Sequence, residues 1–162
     1  MIVLVMGVSG SGKTTIGEAL AAELGWVYLD ADDFHPKANV EKMAAGIPLQ
    51  DADRWPWLDK INRKLLQLQK QKRSAVVGCS ALKQAYRTRL RRGLRQFKVV
   101  YLRGEYKLIE KRVKSRKHRY MPASLLKSQF DTLEPPRRAI VANVSAPIPR
   151  SVQKIKKLLK IA

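Results

Sequence analysis

The feature that most limits how this chain can fold is a glycine-rich stretch near its start, residues 7–14, which reads GVSGSGKT. It satisfies the pattern G-x-x-x-x-G-K-[ST] in full, directly after the apolar run 2–6 and at the start of a segment with helical periodicity. Glycine lets the backbone pass close to phosphate oxygens where a β-carbon would obstruct it. The stretch and its flanks therefore predict a strand, a phosphate-binding loop (P-loop) and a helix.

Each part of this loop has an expected partner in a nucleoside triphosphate. Successive backbone N–H groups and the positive end of the following helix favour the polyphosphate. Lys13 is expected to reach the β- and γ-phosphates, the Thr14 hydroxyl to coordinate Mg²⁺, and Thr15 to lie near the α-phosphate. The residues predicted to bind ATP here are Gly7, Ser9, Gly10, Ser11, Gly12, Lys13, Thr14 and Thr15.

The loop alone leaves kinases, GTPases and motor ATPases open. No N-K-x-D guanine-reading motif occurs, and 162 residues are too few for a motor's second functional module. The third predicted strand ends in Gly78-Cys79-Ser80 without the usual Walker-B aspartate. Metal support is therefore expected from Asp30 or Asp32, and the pattern favours a small kinase.

The rest of the chain alternates apolar runs with amphipathic segments. We predict strands over 2–6, 26–29, 74–79, 98–102 and 139–144, and helices over 13–24, 37–46, 55–70, 83–92, 105–116 and 149–160, with a short helix ending near residue 131. This alternation implies right-handed crossovers and a five-stranded parallel sheet covered on both faces. We expect one domain over 1–162, with ligands at the carboxyl ends of the strands.

Charge is distributed unevenly along the chain, which carries a formal net charge of +20. Residues 1–60 contain 5 Lys/Arg and 9 Asp/Glu, whereas residues 61–162 contain 28 and 4. Such a field attracts polyanions, but the charge is more simply explained by a solvated lysine-rich surface with a few functional arginines. No apolar run reaches the roughly 20 residues of a membrane helix. The single cysteine, Cys79, fits a reducing cytosol, so a cytoplasmic location is expected.

Three carboxylates, those of Asp30, Asp32 and Asp33, follow the second predicted strand. A kinase that acts on a hydroxyl needs one carboxylate to orient that hydroxyl and take up its proton. A second carboxylate can hold a magnesium-bound water. Asp30 and Asp32 are expected on the same side of an extended segment, beside the P-loop if the first two strands flank one crevice. The structural alternative is that Asp32 or Asp33 caps the next helix.

Several cations and polar groups are candidates for binding an anionic acceptor. Arg54 suits bidentate recognition of a carboxylate, and the alternative is an ion pair with Asp51 or Asp53. His35 is equally able to bond the acceptor or to be structural. Ser80 and Lys83 follow the third strand and are expected to face the same crevice, whereas Trp55 and Trp57 are expected to pack in the core or at a hinge.

A basic cluster follows the predicted helix 105–116 and comprises Arg112, Arg116, Lys117, His118 and Arg119. In small P-loop kinases such a segment is a lid that closes arginines over the transferred phosphoryl group. We expect the lid over about 112–122, with Arg112 binding the nucleotide and Arg116 acting in catalysis. A solvated helix face is the alternative.

Taken together, these motifs resemble the bacterial-type gluconate kinases (gluconokinases). The matching stretches are 6–15, 29–58, 79–87, 99–104 and 121–136, and the second of them carries DDFHP, N-x-x-KM, G-x-PL and D-x-DR-x-PWL. Shikimate kinase and similar enzymes share the loop and the D-x-D but not this run. Two stretches depart from the family: residues 116–120 read R-K-H-R-Y where it usually has R-K-G-H-F, and 142–144 read A-N-V where it has V-D-V or V-D-I.

The resemblance implies ATP- and Mg²⁺-dependent phosphorylation of D-gluconate to 6-phosphogluconate, as a step of carbohydrate acid catabolism. It also implies a nucleoside-kinase-like three-layer α/β fold with a mobile lid, and a homodimer. It assigns Asp32 as the acceptor-orienting base and Asp30, with Thr14, as metal support. The residues that it places around the sugar acid are Asp32, His35, Arg54, Ser80, Lys83 and Gln129.

Two alternatives to this function stay open at the level of sequence. One is a kinase of the same fold for another small hydroxy acid such as shikimate. The other is a nucleic-acid-associated ATP-binding protein, which the charge of residues 61–162 suggests. No nucleic-acid motif is present, and an aromatic content of 7% leaves few stacking surfaces, so nucleic acid is not an expected partner.

Overall fold

The computed structural model describes residues 1–116 and 125–161. Its centre is a five-stranded, all-parallel sheet, which confirms the predicted fold class. The strands are β1 (Ile2–Met6), β2 (Val27–Asp30), β3 (Ala75–Gly78), β4 (Phe97–Arg103) and β5 (Ile140–Asn143). Their order across the sheet is β2-β3-β1-β4-β5, so β3 lies between β1 and β2.

Helices cover both faces of this sheet. They are α1 (Lys13–Leu24), α2 (Lys37–Ala44), α3 (Asp51–Lys70), α4 (Gln84–Arg91), α5 (Tyr106–Ser115), α6 (Leu126–Thr132) and α7 (Ile148–Leu158), with a 3₁₀ helix over Ala31–Phe34. Within the described residues no helix is both long and apolar enough to cross a membrane. Helix α1 ends at Gly25, whose left-handed conformation (φ 66°) lets its N–H return to the carbonyls of Ala21 and Ala22.

The alternation of side chains along β1 divides the interior into two cores. Val3 and Val5 pack with apolar residues of α1, α5, α6 and α7. Ile2 and Leu4 point to the opposite face and pack with apolar residues of α3 and α4. Because successive strand residues face opposite sides, this fully apolar strand is the one that a two-faced parallel sheet requires at its centre. The result is the predicted three-layer arrangement.

Most predicted elements agree with the structure within two residues, but the start of α3 does not. The helix begins at Asp51, four residues before the predicted residue 55. A start at residue 55 would put Pro56 in the first turn, where proline is favoured, yet Pro56 lies inside the helix. A capping box starts the helix earlier, with Gln50 accepting from the Asp53 N–H and the Asp53 carboxylate accepting from the Gln50 N–H.

The strand order creates a crevice at one edge of the sheet. Helix α1, which follows β1, packs on one face of the sheet, and α4, which follows β3, packs on the other, so the connections of these two neighbouring strands diverge to opposite faces. Ligands of open α/β sheets bind outside the carboxyl ends of the strands at such a point. Here that position is flanked by the P-loop, which follows β1, and by residues 79–83, which follow β3.

Candidate active site

A cavity of about 480 Å³ opens at the carboxyl ends of β1, β2 and β3, within the size range of small-molecule sites. It brings together ten of the residues predicted from sequence: Ser9, Lys13, Thr14, Asp30, Asp32, His35, Arg54, Ser80, Arg116 and Gln129. Two parts of its wall differ in origin. We call Ser9, Lys13 and Thr14 the loop side, and Asp32, His35, Arg54 and Trp57 the α3 side.

The P-loop needs glycine for two separate reasons. Gly10 and Gly12 have φ values of 77° and 93°, in the region that side chains with a β-carbon rarely adopt. A β-carbon on Gly10 would also lie 2.6 Å from Cγ2 of Val113, so α5 could not pack this closely against the loop. The loop is therefore shaped by its own torsions and by a neighbouring helix.

Lys13 folds back over the loop that precedes it. Its Nζ donates a hydrogen bond to the carbonyl oxygen of Val8 at 3.0 Å. Burial lowers the pKa of Lys13, and the nearby carboxylate of Asp32 opposes this effect more strongly than any other group. A desolvated cation beside backbone N–H groups is the arrangement that stabilises negative charge on phosphate oxygens.

Thr14 and Asp30 place two oxygen ligands at the mouth of the loop. Thr14 Oγ1 and Asp30 Oδ2 lie 3.5 Å apart, and the other Asp30 oxygen accepts from the backbone N–H of Asp32 at 2.9 Å. Hydroxyl and carboxylate oxygens suit Mg²⁺, which retains waters and uses few protein ligands beside phosphate. No group of three His, Cys, Asp or Glu able to hold a metal occurs among residues 1–116 and 125–161. The pair thus fits a magnesium ion completed by phosphate and water.

The local geometry of this acidic segment differs from the extended one that we predict from the sequence. Asp32 lies in the 3₁₀ helix Ala31–Phe34 rather than in an extended segment, and β1 and β2 are separated by β3. The alternative, that Asp32 or Asp33 caps the next helix, is not seen either, because α2 starts after Pro36 without a side-chain cap. Asp30 instead caps the 3₁₀ helix. This tight turn still brings the carboxylates of Asp30 and Asp32 to the same cavity.

His35 is fixed on the α3 side by an aromatic stack. Its ring lies 4.0 Å from that of Trp57 at an interplanar angle of 16°, and the Trp57 indole N–H donates to the carbonyl of Ala31 at 2.7 Å. Burial, and to a lesser extent the charge of Arg54, lowers the pKa of His35 to about 4. The ring is therefore neutral near neutral pH. Trp57 packs in the core as expected and also lines the cavity.

Arg54 reaches the cavity from the first turn of α3 and is held by α4. Its guanidinium donates to the hydroxyl of Tyr86 at 3.0 Å, and that hydroxyl donates to Asp51 at 2.5 Å. Arg54 and Asp51 are 3.8 Å apart, so the ion pair that we considered as an alternative is present. Lys83 lies 3.6 Å from Asp51, and the cavity wall, as far as the structure describes it, does not include Lys83.

The loop after β3 that carries Ser80 has a strained backbone and is held by hydrogen bonds from Arg87. Ala81 has a positive φ of 43°, which a residue other than glycine rarely adopts. Arg87 of α4 is only 4% exposed and donates to the carbonyls of Ala81, Leu82 and Glu134 at 2.8, 3.0 and 2.9 Å. These bonds fix the loop between β3 and α4 to the segment that follows α6.

Helix α6 connects the same region to the P-loop. Gln129 accepts a hydrogen bond from the backbone N–H of Ser9 at 2.6 Å while lining the cavity. Arg116, at the end of α5, also lines it. Arg112 donates to the carbonyl of Val144 at 2.8 Å, on the side of β5. Of the predicted lid, residues 117–122 lie outside the described residues.

Cys79 lies directly behind the cavity floor, at the end of β3. It is 1% exposed, and burial raises the pKa of its thiol to about 12. It is free of any disulfide. The side chain is therefore a small apolar filler between the sheet and the site.

Sequence reasoning missed three polar residues that hold the site together, namely Asn39, Tyr86 and Arg87. All three are buried, yet each falls in a predicted amphipathic helix where a polar residue is expected to face solvent. The available signal was spacing, because Asn39 follows His35 by four residues and Tyr86 and Arg87 follow the loop that carries Ser80. We also did not predict the apolar lining residues Met43, Leu49, Leu82 and Leu125.

Comparison with known proteins gives concordant results. A family model described as an AAA domain matches residues 2–136. The thermosensitive gluconokinase of Escherichia coli (strain K12) is 46% identical over 134 residues, which cover 83% of this chain and 72% of that protein.

Two crystal structures match almost the whole chain. A sugar kinase from Janibacter sp. HTCC2649, unliganded, superposes with a TM-score of 0.93 at 41% identity, covering 99% of this chain and 95% of that one. A gluconokinase from Sinorhizobium meliloti 1021 superposes with a TM-score of 0.86 at 40% identity, covering 98% and 91%.

Proposed function

This chain belongs to the gluconokinase family, and from that premise we propose that it transfers the γ-phosphoryl group of ATP to the primary hydroxyl of D-gluconate, giving 6-phosphogluconate. The chain is an ATP-dependent small-molecule kinase with an alcohol group as acceptor. The observation that carries the choice of acceptor is that one cavity holds a P-loop lysine together with a carboxylate, a neutral histidine and an arginine.

The acceptor chemistry matches this set of side chains. Gluconate is an anion with several hydroxyl groups, so it needs both a cation for its carboxylate and hydrogen-bonding groups along its chain. Arg54 offers a planar guanidinium that is oriented by Tyr86 and lines the cavity. Asp32 and His35 offer an acceptor and a donor of hydrogen bonds on the same wall.

We assign the chemical step to groups on both sides of the cavity. Asp32 accepts a hydrogen bond from the attacking hydroxyl and takes its proton as the new bond to the γ-phosphorus forms and the bond from that phosphorus to the β,γ-bridging oxygen breaks, which releases ADP. Lys13 and the P-loop N–H groups stabilise the charge on the transferred phosphoryl oxygens. Thr14, and Asp30 through a water, would hold Mg²⁺, which when bound would supply positive charge that offsets part of the negative charge of the phosphates.

The remaining residues are assigned by position. Ser9, Gln129 and Arg116 lie where the loop side meets α5 and α6, so they suit the phosphates and the bound acid. Arg116 is proposed to act on the transferred group, as part of a lid over about 112–122. Arg112 is proposed to contact the nucleotide from α5. Ser80 would contact the acid, with Lys83 contributing charge from behind Asp51.

Three parts of the proposal concern the whole molecule: its domain organisation, its oligomeric state and its location in the cell. We propose a single kinase domain, a homodimer and a cytoplasmic location. Sedimentation velocity at low micromolar concentration tests the dimer, and a monomer there would contradict it. Cell fractionation tests the location.

The acceptor is tested by a coupled assay at fixed ATP and magnesium with a panel of sugar acids and shikimate. We expect turnover on D-gluconate with the highest kcat/KM of the panel, and 6-phosphogluconate as the product identified by mass spectrometry. Omission of magnesium should remove the activity. Turnover on shikimate with none on gluconate would overturn the assignment.

A further inference from the structure

Asn39 lies behind the α3 side of the cavity and is 3% exposed. Its side-chain nitrogen Nδ2 contacts two groups at once. It lies 3.0 Å from the backbone carbonyl oxygen of Asp53 and 3.2 Å from Nδ1 of His35. Asn39 therefore joins helix α2, the first turn of α3 and the histidine that lines the cavity.

The carbonyl of Asp53 determines which way the Asn39 amide points. A carbonyl oxygen can only accept, so the group facing it must be the NH₂ of the amide. That NH₂ has two hydrogens, one for Asp53 and one for His35. Nδ1 of His35 must then present a lone pair, and in a neutral ring the proton resides on Nε2.

Both partners of Asn39 are themselves immobilised. The Asp53 carboxylate is held by Lys42, at 3.0 Å from each oxygen, and by the N–H of Gln50 at 2.9 Å. The His35 ring is stacked on Trp57, so it cannot turn over without breaking the stack. The tautomer is consequently set by contacts from α2 and α3 rather than by the ligand.

The other ring nitrogen faces the reacting part of the cavity. His35 Nε2 lies 3.8 Å from Oδ1 of Asp32, which is longer than a hydrogen bond of about 3.2 Å at most. Both side chains line the cavity. An oxygen of the acceptor placed between them can accept from the histidine and, if it is a hydroxyl, donate to the carboxylate.

We propose that Asn39 is a positioning residue that holds His35 as its Nε2–H tautomer, so that the ring presents a hydrogen-bond donor to an oxygen of the acceptor beside Asp32. The identity of the acceptor rests on the proposed function, but the tautomer does not. Because the ring can only donate there, this position selects hydroxyl or carboxylate oxygens. An ammonium group, which has no lone pair, is rejected.

The tautomer is measured directly by ¹⁵N NMR of the histidine rings in the full-length protein near neutral pH. His35 and His118 are the two histidines of the sequence, and the signals of His35 are identified by their loss in His35→Gln. We expect Nε2 protonated and Nδ1 unprotonated. In Asn39→Asp the carboxylate can only accept, so Nδ1 should gain a proton. An Nδ1–H ring in the unsubstituted protein would overturn the proposal.

A kinetic cycle separates positioning from a merely structural role. Asn39→Asp should raise KM for gluconate about tenfold, with KM for ATP unchanged, because the donor at Nε2 is no longer guaranteed. Glutamine at position 35 keeps an N–H donor without tautomers. In the His35→Gln background the same Asn39→Asp change should therefore have less than about a threefold effect. An equal effect in both backgrounds would overturn the positioning role.

Failure of the acceptor assignment would look different. If the unsubstituted protein shows Nε2–H but phosphorylates another hydroxy acid, the gluconate assignment falls and the tautomer inference stands, with the cycle then run on that acid. If gluconate is the substrate but Nδ1 carries the proton, the tautomer inference falls and the function stands.

Discussion

The loop side and the α3 side of the cavity hold their residues in different ways. On the loop side the functional groups come from one short segment, residues 9–14, and Lys13 bonds to a carbonyl only five positions away. On the α3 side the supporting bonds join residues that are 14, 26 and 32 positions apart, namely Asn39 to Asp53, Trp57 to Ala31 and Arg54 to Tyr86. Local torsions set the path of the first side, with α5 and Gln129 packed against it, whereas the second side is held mainly by bonds between distant parts of the chain.

This difference has a functional counterpart. The loop side is the proposed site of the ATP polyphosphate, a ligand that one short glycine-rich motif is able to bind. The α3 side is the proposed site of the acid, and its groups are oriented by residues such as Asn39 and Tyr86, which contact lining residues but are not among the described lining residues themselves. Substitutions on the two sides should therefore affect different kinetic constants, in the order of size given below.

The largest effect is expected from Lys13→Ala. Loss of the cation removes stabilisation of the transferred phosphoryl group, so kcat should fall about a thousandfold or more. Gluconate binding, measured by calorimetry, should be unchanged, because the α3 side is built independently. A variant that keeps its kcat but loses affinity for gluconate would break the comparison.

The next effect is expected from Asp32→Asn. The amide keeps the size of the side chain but cannot take up a proton, so kcat should fall about a hundredfold or more. ATP affinity should be retained, as measured with a fluorescent nucleotide analogue. The matched control is Glu41→Gln, which neutralises an exposed carboxylate on α2 paired with Lys37. Full activity of Asp32→Asn would mean that another group is the base.

A third prediction concerns stability against pH. The pKa of His35 is about 4 in the folded state and about 6.5 when unfolded, so the unfolded chain binds more protons between these values. The contribution of the neutral His35 ring to the free energy of unfolding is present above about pH 6.5 and is lost as the pH falls towards 4. From about pH 7.5 to 5 the loss due to His35 should be about 2 kcal/mol.

This contribution is isolated by chemical denaturation of the native chain and His35→Gln across that range. The variant should lack it, while both keep the losses below about pH 4, where the carboxylates of Asp51 and Asp53 take up protons. Identical pH profiles of the two proteins would show that His35 does not contribute to the pH dependence of the free energy of unfolding. They would also contradict the burial of a neutral ring on the α3 side.

The smallest effect is expected from Arg54→Lys. A lysine keeps the charge but not the planar fork, so KM for gluconate should rise about tenfold while kcat changes less. Arg89→Lys is the control, since Arg89 makes a bidentate pair with Asp59 outside the described cavity wall. A rise in KM for ATP rather than for the acid would move Arg54 to the nucleotide.

The sequence allowed the sheet and the loop side to be predicted because both depend on local patterns. Uninterrupted apolar runs specify buried strands, and the glycine motif specifies the loop. The start of α3 was misplaced because Pro56 is typical of a first turn, while the capping box at Gln50 uses a residue outside the usual set. The 3₁₀ helix at Asp32 is four residues long, too short for any periodicity to reveal it.

The supporting network of the α3 side was not predictable for a different reason. A polar residue on an amphipathic helix is normally assigned to solvent, and only packing shows that Asn39, Tyr86 and Arg87 are buried. Lys83 illustrates the same limit. Its position after β3 predicted that it faces the cavity, whereas in the structure it forms an ion pair with Asp51. Residue type and spacing predicted residues that line the cavity, but not the residues that orient them.

The burial of Cys79 makes the native protein convenient for spectroscopy. With a thiol pKa of about 12, fewer than about one molecule in ten thousand is a thiolate near neutral pH, and the sulfur is shielded from reagents. The only cysteine of the chain is therefore silent towards maleimide dyes and spin labels. A second cysteine placed on an exposed helix position, such as Thr88 or Ala85, would accept a single probe without any prior removal of Cys79.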